Sequence, residues 1–292
     1  MKISYSRWLL VLCFVFPCIT AGQDTPLHLD VPYVPTPEEV VEVMLDITHV
    51  NENDILYDLG CGDGRIVITA AKEKGARGVG IDINPKRIEE SIKNAEKANV
   101  MDRVQFIEGD LFLADFSEAT VLTMYLLPAV NIRLRPRLLR ELMPGSRIVS
   151  HDFSMNEWEP DSTIKIPNDF HTHSVYFWII PANVTGKWEG DISLESGDVY
   201  FILELIQQFQ EVAGTITIDN SKMSIREVAL AGDRLQFRVE RTGQGDLDTI
   251  IFDGKVNGNT LSGIIRSESG SSGPTREWTA NRDPSTISSI DQ

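Results

Sequence analysis

The chain has 292 residues, 42% hydrophobic and 24% charged, which is enough for one large domain or two ordinary ones with real cores. Its formal net charge is −16 and no basic block offsets it, which speaks against a nucleic-acid backbone as partner and suits solubility, a basic protein or a cationic ligand. Of its three cysteines only Cys61 lies outside the N-terminal leader, so no intramolecular disulfide survives leader removal.

The N-terminus reads MKISYSRWLLVLCFVFPCITAGQD. Lys2 and Arg7 form a basic region, Trp8 to Thr20 is apolar, and Ala21-Gly22 supplies small residues before Gln23. This is a secretory signal pattern over residues 1–22. The apolar run is shorter than the ~20 residues a spanning helix needs. No Lys or Arg follows it until Arg65, a bias that keeps the N-terminus inside and sends the rest across. The expectation is an exported protein, periplasmic or extracellular. An uncleaved signal anchor, and with it a place close to a membrane, is the alternative. Residues 23–35 then read as a tether, in which Tyr33 could fold over a ligand as a lid.

In "VPYVPTPEEVVEVMLDI", Thr36 reads as a helix cap, Pro37 as its first turn and Glu39 as the partner in a capping box. Strand and helix patterns alternate from there. "DILYDLG", "RGVGIDI", "VQFIEGDLF", "ATVLTMYLL" and "SRIVSHDF" are strands. The segments between them include "GRIVITAAKEKG", "PKRIEESIKNAEKAN" and "VNIRLRPRLLRELMPG", the last helical but interrupted by Pro136. "STIKI" and "HSVYFWII" read as a hairpin closing the sheet edge. The pattern predicts a Rossmann-like, doubly wound α/β fold with a seven-stranded sheet over residues 36–181.

The character changes between Pro181 and Val184. From residue 182 to 292 the helical period is gone. Eight short alternating runs, from "GKWEGDISL" to "TREWTAN", predict an all-β antiparallel domain, a meander or a closed barrel. Its opening "GKWEG" and closing "REWTAN" resemble the Gly-x-Trp and closing Arg of lipocalin-like barrels. Trp188 and Trp278 are expected to plug a barrel end, with ligand or partner binding by the barrel as the sharper alternative.

The stretch "YDLGCGDGRIVITAA" lies at a strand-to-helix junction. Gly60 and Gly62 permit a tight turn and close backbone approach to a ligand. The spacing G-x-G-x-G departs from the dinucleotide fingerprint, and Asp58 and Asp63 flank it. Two carboxylates repel a pyrophosphate and suit a ligand carrying an ammonium and a sulfonium. Asp82 ends the next strand, where an acid can accept hydrogen bonds from ribose hydroxyls, and Asp110 ends the third. Such an ordered set lies where open α/β sheets bind ligands.

On these residues the segment 36–181 resembles the class I, seven-β-strand S-adenosylmethionine-dependent methyltransferases. "DLGCGDGR" matches that family's first motif, "GIDINP" its second and "EGDLF" its third. "VPYVPTP", "YLLPAVN" and "HDFSMNEWEPD" resemble a bacterial subgroup related to lysine methyltransferases of the ATP synthase c-subunit and an adenine nucleotide carrier. The resemblance implies that Asp58, Gly60 and Gly62 hold the methionine part of the cofactor, Asp82 the ribose, and Asp110 with Leu111 the adenine.

The acceptor pocket is then expected over the fourth strand's end, at Tyr125, Leu126, Leu127 and Pro128. "YLLP" replaces the Asn/Asp-Pro-Pro-aromatic motif of many amino-directed methyltransferases, which counts against a nucleobase or glutamine amide as substrate. Tyr125 and Asp152 are the candidate catalytic residues; Tyr33, Leu127, Pro128 and His151 are candidates for substrate contact. Tyr125 as core packing and His151-Asp152 as a loop anchor are equally open readings. His171 and His173 share one side of a strand, but no nearby Cys or acid cluster has ligand spacing to them, so no metal is expected. The function expected is in-line methyl transfer to a deprotonated amine, that of a protein lysine first, within the wider class of protein or small-molecule amine acceptors. The alternative is a non-catalytic exported protein whose barrel carries the function.

Overall fold

The computed structural model describes residues 32–168, 171–193, 197–243, 246–267 and 275–291. The leader 1–22 and the tether as far as residue 31 lie outside the described residues. Among the described residues no helix is long and apolar enough to cross a membrane.

Helix α1 (Glu38–Ile47) buries Val40, Val41, Met44 and Leu45 along one face. Its start differs from the expected capping box. Pro37 holds the cap position, and its carbonyl accepts the N–H groups of Val40 and Val41 at 3.0 Å each. The Thr36 hydroxyl turns away and stands 3.3 Å from His151 Nδ1, because a distant tertiary partner outcompetes the local one.

Strands β1 (Ile55–Leu59), β2 (Arg77–Asp82), β3 (Val104–Glu108), β4 (Val121–Met124) and β5 (Arg147–His151) pair in parallel. Helices α2 (Arg65–Lys74), α3 (Pro85–Ala98) and α4 (Pro128–Glu141) serve as connections among them. The hairpin of β6 (Ser162–Pro167) and β7 (Thr172–Ile179) completes a seven-stranded sheet in the order β3-β2-β1-β4-β5-β7-β6, with β7 antiparallel to β5. The strand order reverses direction between β1 and β4. At such a switch point the loops at the carboxyl ends part and leave a crevice. The expected interruption at Pro136 is absent: α4 runs through it. Proline inside a helix costs about 3 kcal/mol, and tertiary anchoring offsets this. Leu134 and Leu138 are buried, and Arg137 donates to the carbonyls of Phe112 and Ala114 at 2.6 and 2.8 Å.

Strands β8 (Gly186–Ile192), β9 (Val199–Gln208), β10 (Glu211–Ile218), β11 (Ser221–Ala231), β12 (Arg234–Gly243), β13 (Asp246–Asn257), β14 (Thr260–Ser267) and β15 (Arg276–Arg282) form a closed antiparallel barrel. Side chains fill its interior. Trp278 sits among Phe201, Phe237 and Phe252 in edge-to-face contacts, so it belongs to the middle of the packing. Trp188 lies under the Arg282 guanidinium, 4.7 Å from the ring centroid, and donates its N–H to the Val184 carbonyl.

The barrel and the sheet share a core. The tight β9–β10 turn puts Phe209 into the α/β core, where it stacks on Trp158 at 5.8 Å. Trp158 Nε1 donates to Gln210 Oε1 at 2.8 Å, and Arg135 Nε donates to Asp291 Oδ1 at 2.7 Å.

Candidate functional site

One cleft opens at the switch point, and all six residues expected to hold a cofactor line it: Asp58, Gly60, Gly62, Asp82, Asp110 and Leu111. Strand β1 delivers Asp58, and the loop turns with Gly60 at φ +81° and Gly62 at φ +55°. A Cβ on Gly60 would come within 2.9 Å of Leu126 Cδ2, and one on Gly62 within 2.6 Å of the Tyr33 ring. Conformation and close approach therefore both demand glycine there. The N–H groups of Gly62 and Asn84 donate to Asp82 Oδ2 and Oδ1 at 2.9 and 2.8 Å. Those bonds fix the carboxylate at the cleft while a carboxylate's further lone pairs stay available.

Asp58 is buried, with the Thr123 hydroxyl donating to it at 2.7 Å. Burial, with the charges of Asp82 and Asp63 added, pushes its pKa up to about 7. No cation is among the groups that act on Asp58, a setting that suits a ligand bearing an ammonium and a sulfonium. Asp63 plays a different part from the one expected. Arg65 holds it through Nε–Oδ1 and Nη2–Oδ2 contacts of 3.0 and 2.6 Å. Burial raises the Asp63 pKa, but the Arg65 hydrogen bonds and charge outweigh it and leave it below the usual range. The carboxylate is engaged inside the protein, so of the two acids flanking the glycines Asp58 is the one left for a ligand. Burial likewise pushes the Cys61 thiol up, which makes it an inert core group.

Tyr33 lies across the loop, with its ring on Gly62 and the Arg87 guanidinium 3.7 Å from its centroid. Thr36, Arg65, Arg87, Phe112 and Val130 also line the cleft. Sequence reasoning missed them as cleft residues, because only the fold brings the starts of the four helices and the loop after β3 to one opening.

At the far end Tyr125 lines the cleft, its hydroxyl 3.5 Å from Asp152 Oδ2. Burial and then the Asp152 charge raise the Tyr125 pKa. Leu127 and Pro128 do not join it. Strand β4 stops at Met124, and those two residues become the cap and first turn of α4, so the wall is made by Leu126 and Val130. His151 is fully buried behind Tyr125, ring centroids 3.9 Å apart, and burial lowers its pKa to about 4. Asp152 also stands behind Tyr125 and is absent from the cleft lining. It is positioned by the Ser174 N–H, which donates to Oδ1 at 2.8 Å. His171 and His173 face that same carboxylate, each 3.3 Å from Oδ2. The acid they share comes from the end of β5, the strand paired with β7.

Residues 58–162 match the family model described as the ANTKMT methyltransferase domain. The chain is 51% identical over 151 residues to a protein-lysine N-methyltransferase of Saccharolobus islandicus, covering 51% of this chain and 94% of that protein. It is 32% identical over 130 residues to the human lysine N-methyltransferase named for the ATP synthase c-subunit, covering 44% of this chain and 55% of that one. Among solved structures it resembles one described as an RNA methyltransferase from Salinibacter ruber in complex with S-adenosyl-L-homocysteine. That likeness has 54% identity and a TM-score of 0.50, and covers 52% of this chain and 96% of the other.

Proposed function

Since the chain belongs to the S-adenosylmethionine-dependent methyltransferases that carry the ANTKMT methyltransferase domain, we propose that it methylates the side-chain amine of a protein lysine. The observation that carries the reading is the Tyr125 hydroxyl at the wall of the cofactor cleft, backed by Asp152. The names of the Saccharolobus and human relatives support the same acceptor.

S-adenosylmethionine, when bound, would supply an electrophilic methyl on a sulfonium: a neutral amine forms the nitrogen–carbon bond in line as the carbon–sulfur bond breaks, and S-adenosylhomocysteine leaves. The chain's residues then have distinct tasks. Asp58, Gly60 and Gly62 receive the charged methionine end, Asp82 the ribose, and Asp110 with Leu111 the adenine. Tyr125 is the catalytic residue: its oxygen accepts an N–H of the incoming amine and aims the nitrogen lone pair along the cleft. The lysine proton leaves to solvent before the transfer. Asp152 is a positioning residue, accepting the Tyr125 O–H so that the phenol's lone pairs face the acceptor. Tyr33 covers the glycine loop and keeps water off it. Tyr125→Phe is expected to lower kcat by about 10- to 100-fold with the KM for S-adenosylmethionine unchanged, read by initial rates.

Cofactor affinity is expected to depend on pH. The cationic ligand needs Asp58 ionised, and a group with pKa about 7 is ionised to roughly a tenth at pH 6 and nine tenths at pH 8. Affinity measured by calorimetry should therefore rise about tenfold over that interval, and Asp58→Asn should flatten the profile. The stability sign is opposite. The folded free protein retains a proton that the unfolded chain releases, so this group's contribution falls as pH rises from about 4 to 7.

RNA is the competing acceptor, because the Salinibacter protein is described as an RNA methyltransferase. A net charge of −16 favours a basic protein over a phosphate backbone. Methyl-labelled S-adenosylmethionine offered with lysine-rich proteins or with total RNA tests the choice. Labelled methyllysine in the protein hydrolysate is expected. Label in RNA with none in protein, or label in neither, would overturn the lysine reading.

A further inference from the structure

We propose that His151, Asp152, His171 and His173 form a binding site for one divalent transition cation of the zinc class, beside the cofactor cleft and separate from its cradle. The four atoms concerned are His151 Nε2, His173 Nδ1, His171 Nε2 and Asp152 Oδ2. Each nitrogen is 3.3 Å from that carboxylate oxygen, and His151 Nε2 is 2.9 Å from His173 Nδ1. Four ligands placed about 2.0–2.1 Å from a tetrahedral zinc ion stand about 3.3–3.4 Å from one another. His151, Asp152 and His173 already have nearly that spacing, their ligand atoms all lying within 4.8 Å of one another, and the exposed His171, whose Nε2 now meets Asp152 alone of the three, would turn inward to complete the set.

The remote atoms of three of the four ligands are engaged as they are in metal sites. His151 Nδ1 meets the Thr36 hydroxyl at 3.3 Å, His173 Nε2 meets the Asn168 amide at 3.2 Å, and Asp152 Oδ1 accepts the Ser174 N–H. Metal-bound histidines characteristically use the second ring nitrogen this way, which fixes tautomer and ring orientation. Here the fixed orientation turns the remaining lone pairs inward. Hydrogen bonding alone explains the convergence less well. One carboxylate oxygen faces three imidazoles and the Tyr125 phenol, and two imidazole nitrogens face each other, where a single proton fits between them.

Access and ligand chemistry agree. His151 is buried, Asp152 and His173 are each 12% exposed, and His171 is 58% exposed, which leaves an entrance from solvent on the His171 side. Three imidazoles and one carboxylate suit zinc over magnesium or calcium, which prefer all-oxygen shells. The bound ion would tie the start of α1, the end of β5 and the β6–β7 hairpin together. It would also fix Asp152 and hence Tyr125. That consequence rests on the lysine-transfer reading; the site itself does not.

The test uses the full chain stripped of metal by a chelator. Zinc chloride is titrated in competition with a chromophoric chelator, and cobalt(II) chloride is added separately. The expected result is one equivalent of zinc bound at sub-micromolar Kd, with the intense visible absorption of tetrahedral cobalt. His173→Ala should weaken zinc by roughly a hundredfold or more while still binding S-adenosylmethionine. The absence of saturable one-to-one binding, a weak octahedral cobalt spectrum, or equal affinity in His173→Ala would overturn the proposal. The cobalt spectrum is read on the unaltered protein, so a misfolded variant does not blunt the test. No methyl transfer is measured, so failure here is distinct from failure of the lysine reading.

Discussion

Asp82→Ala is expected to weaken S-adenosylmethionine binding by at least about a hundredfold in a calorimetric titration. Two effects combine. Hydrogen bonds from the ribose hydroxyls to a carboxylate are each worth about 1.5–3 kcal/mol, and two of them amount to two or more orders of magnitude in Kd. The same carboxylate also accepts the N–H groups of Gly62 and Asn84, so its removal loosens the glycine loop that must approach the ligand. The freed N–H groups lie at the cleft, where water can replace the carboxylate, so the unfolding midpoint should fall by only a few degrees, on the order of a 1 kcal/mol loss. Asp82→Asn keeps one acceptor oxygen and should fall between the two. Binding within tenfold of the parent in Asp82→Ala would remove Asp82 from the ribose site.

Trp158→Ala is expected to cost about 3–5 kcal/mol of stability in denaturant unfolding. Trp158 is fully buried, stacked on Phe209 and tilted against Trp178, each at 5.8 Å. Its N–H bonds Gln210 and its carbonyl accepts from Trp178 Nε1 at 3.0 Å. Phe209 and Gln210 come from the barrel side and Trp178 from the sheet, so truncation opens a cavity at their junction. The transition should also broaden or split, because the shared core that couples barrel and sheet is lost. Trp158→Phe, which keeps the stacking area, should cost less. A loss under about 1 kcal/mol with a single sharp transition would show that the two parts are joined elsewhere.

Much of this architecture can be read from the chain. The change from helical to alternating period after Pro181 separates sheet from barrel. The eight alternating runs correspond to eight barrel strands because each run carries its own turn residues. The acids at the ends of β1 and β2 and just beyond β3 reach one cleft because parallel strands align their carboxyl ends. The misreadings share a cause. Thr36 has the local signature of a cap and bonds His151 instead. Asp63 looks available beside the glycines until Arg65 is seen holding it. Pro136 has the signature of a break, yet buried leucines and Arg137 carry the helix through. The His171–His173 pair has no acid cluster of ligand spacing beside it in sequence, and Asp152 reaches it only when β5 is laid beside β7. In each case a partner remote in sequence wins over a local rule.

The proposed chemistry requires that one cleft present a methyl donor to an amine at Tyr125. A crystal structure of the protein with S-adenosylhomocysteine and a lysine-bearing peptide tests that requirement most directly. The expected complex has the homocysteine amine at Asp58, the ribose at Asp82, and the sulfur turned toward a lysine nitrogen beside the Tyr125 hydroxyl. A cofactor sulfur turned away from Tyr125, with the lysine bound elsewhere, would contradict it.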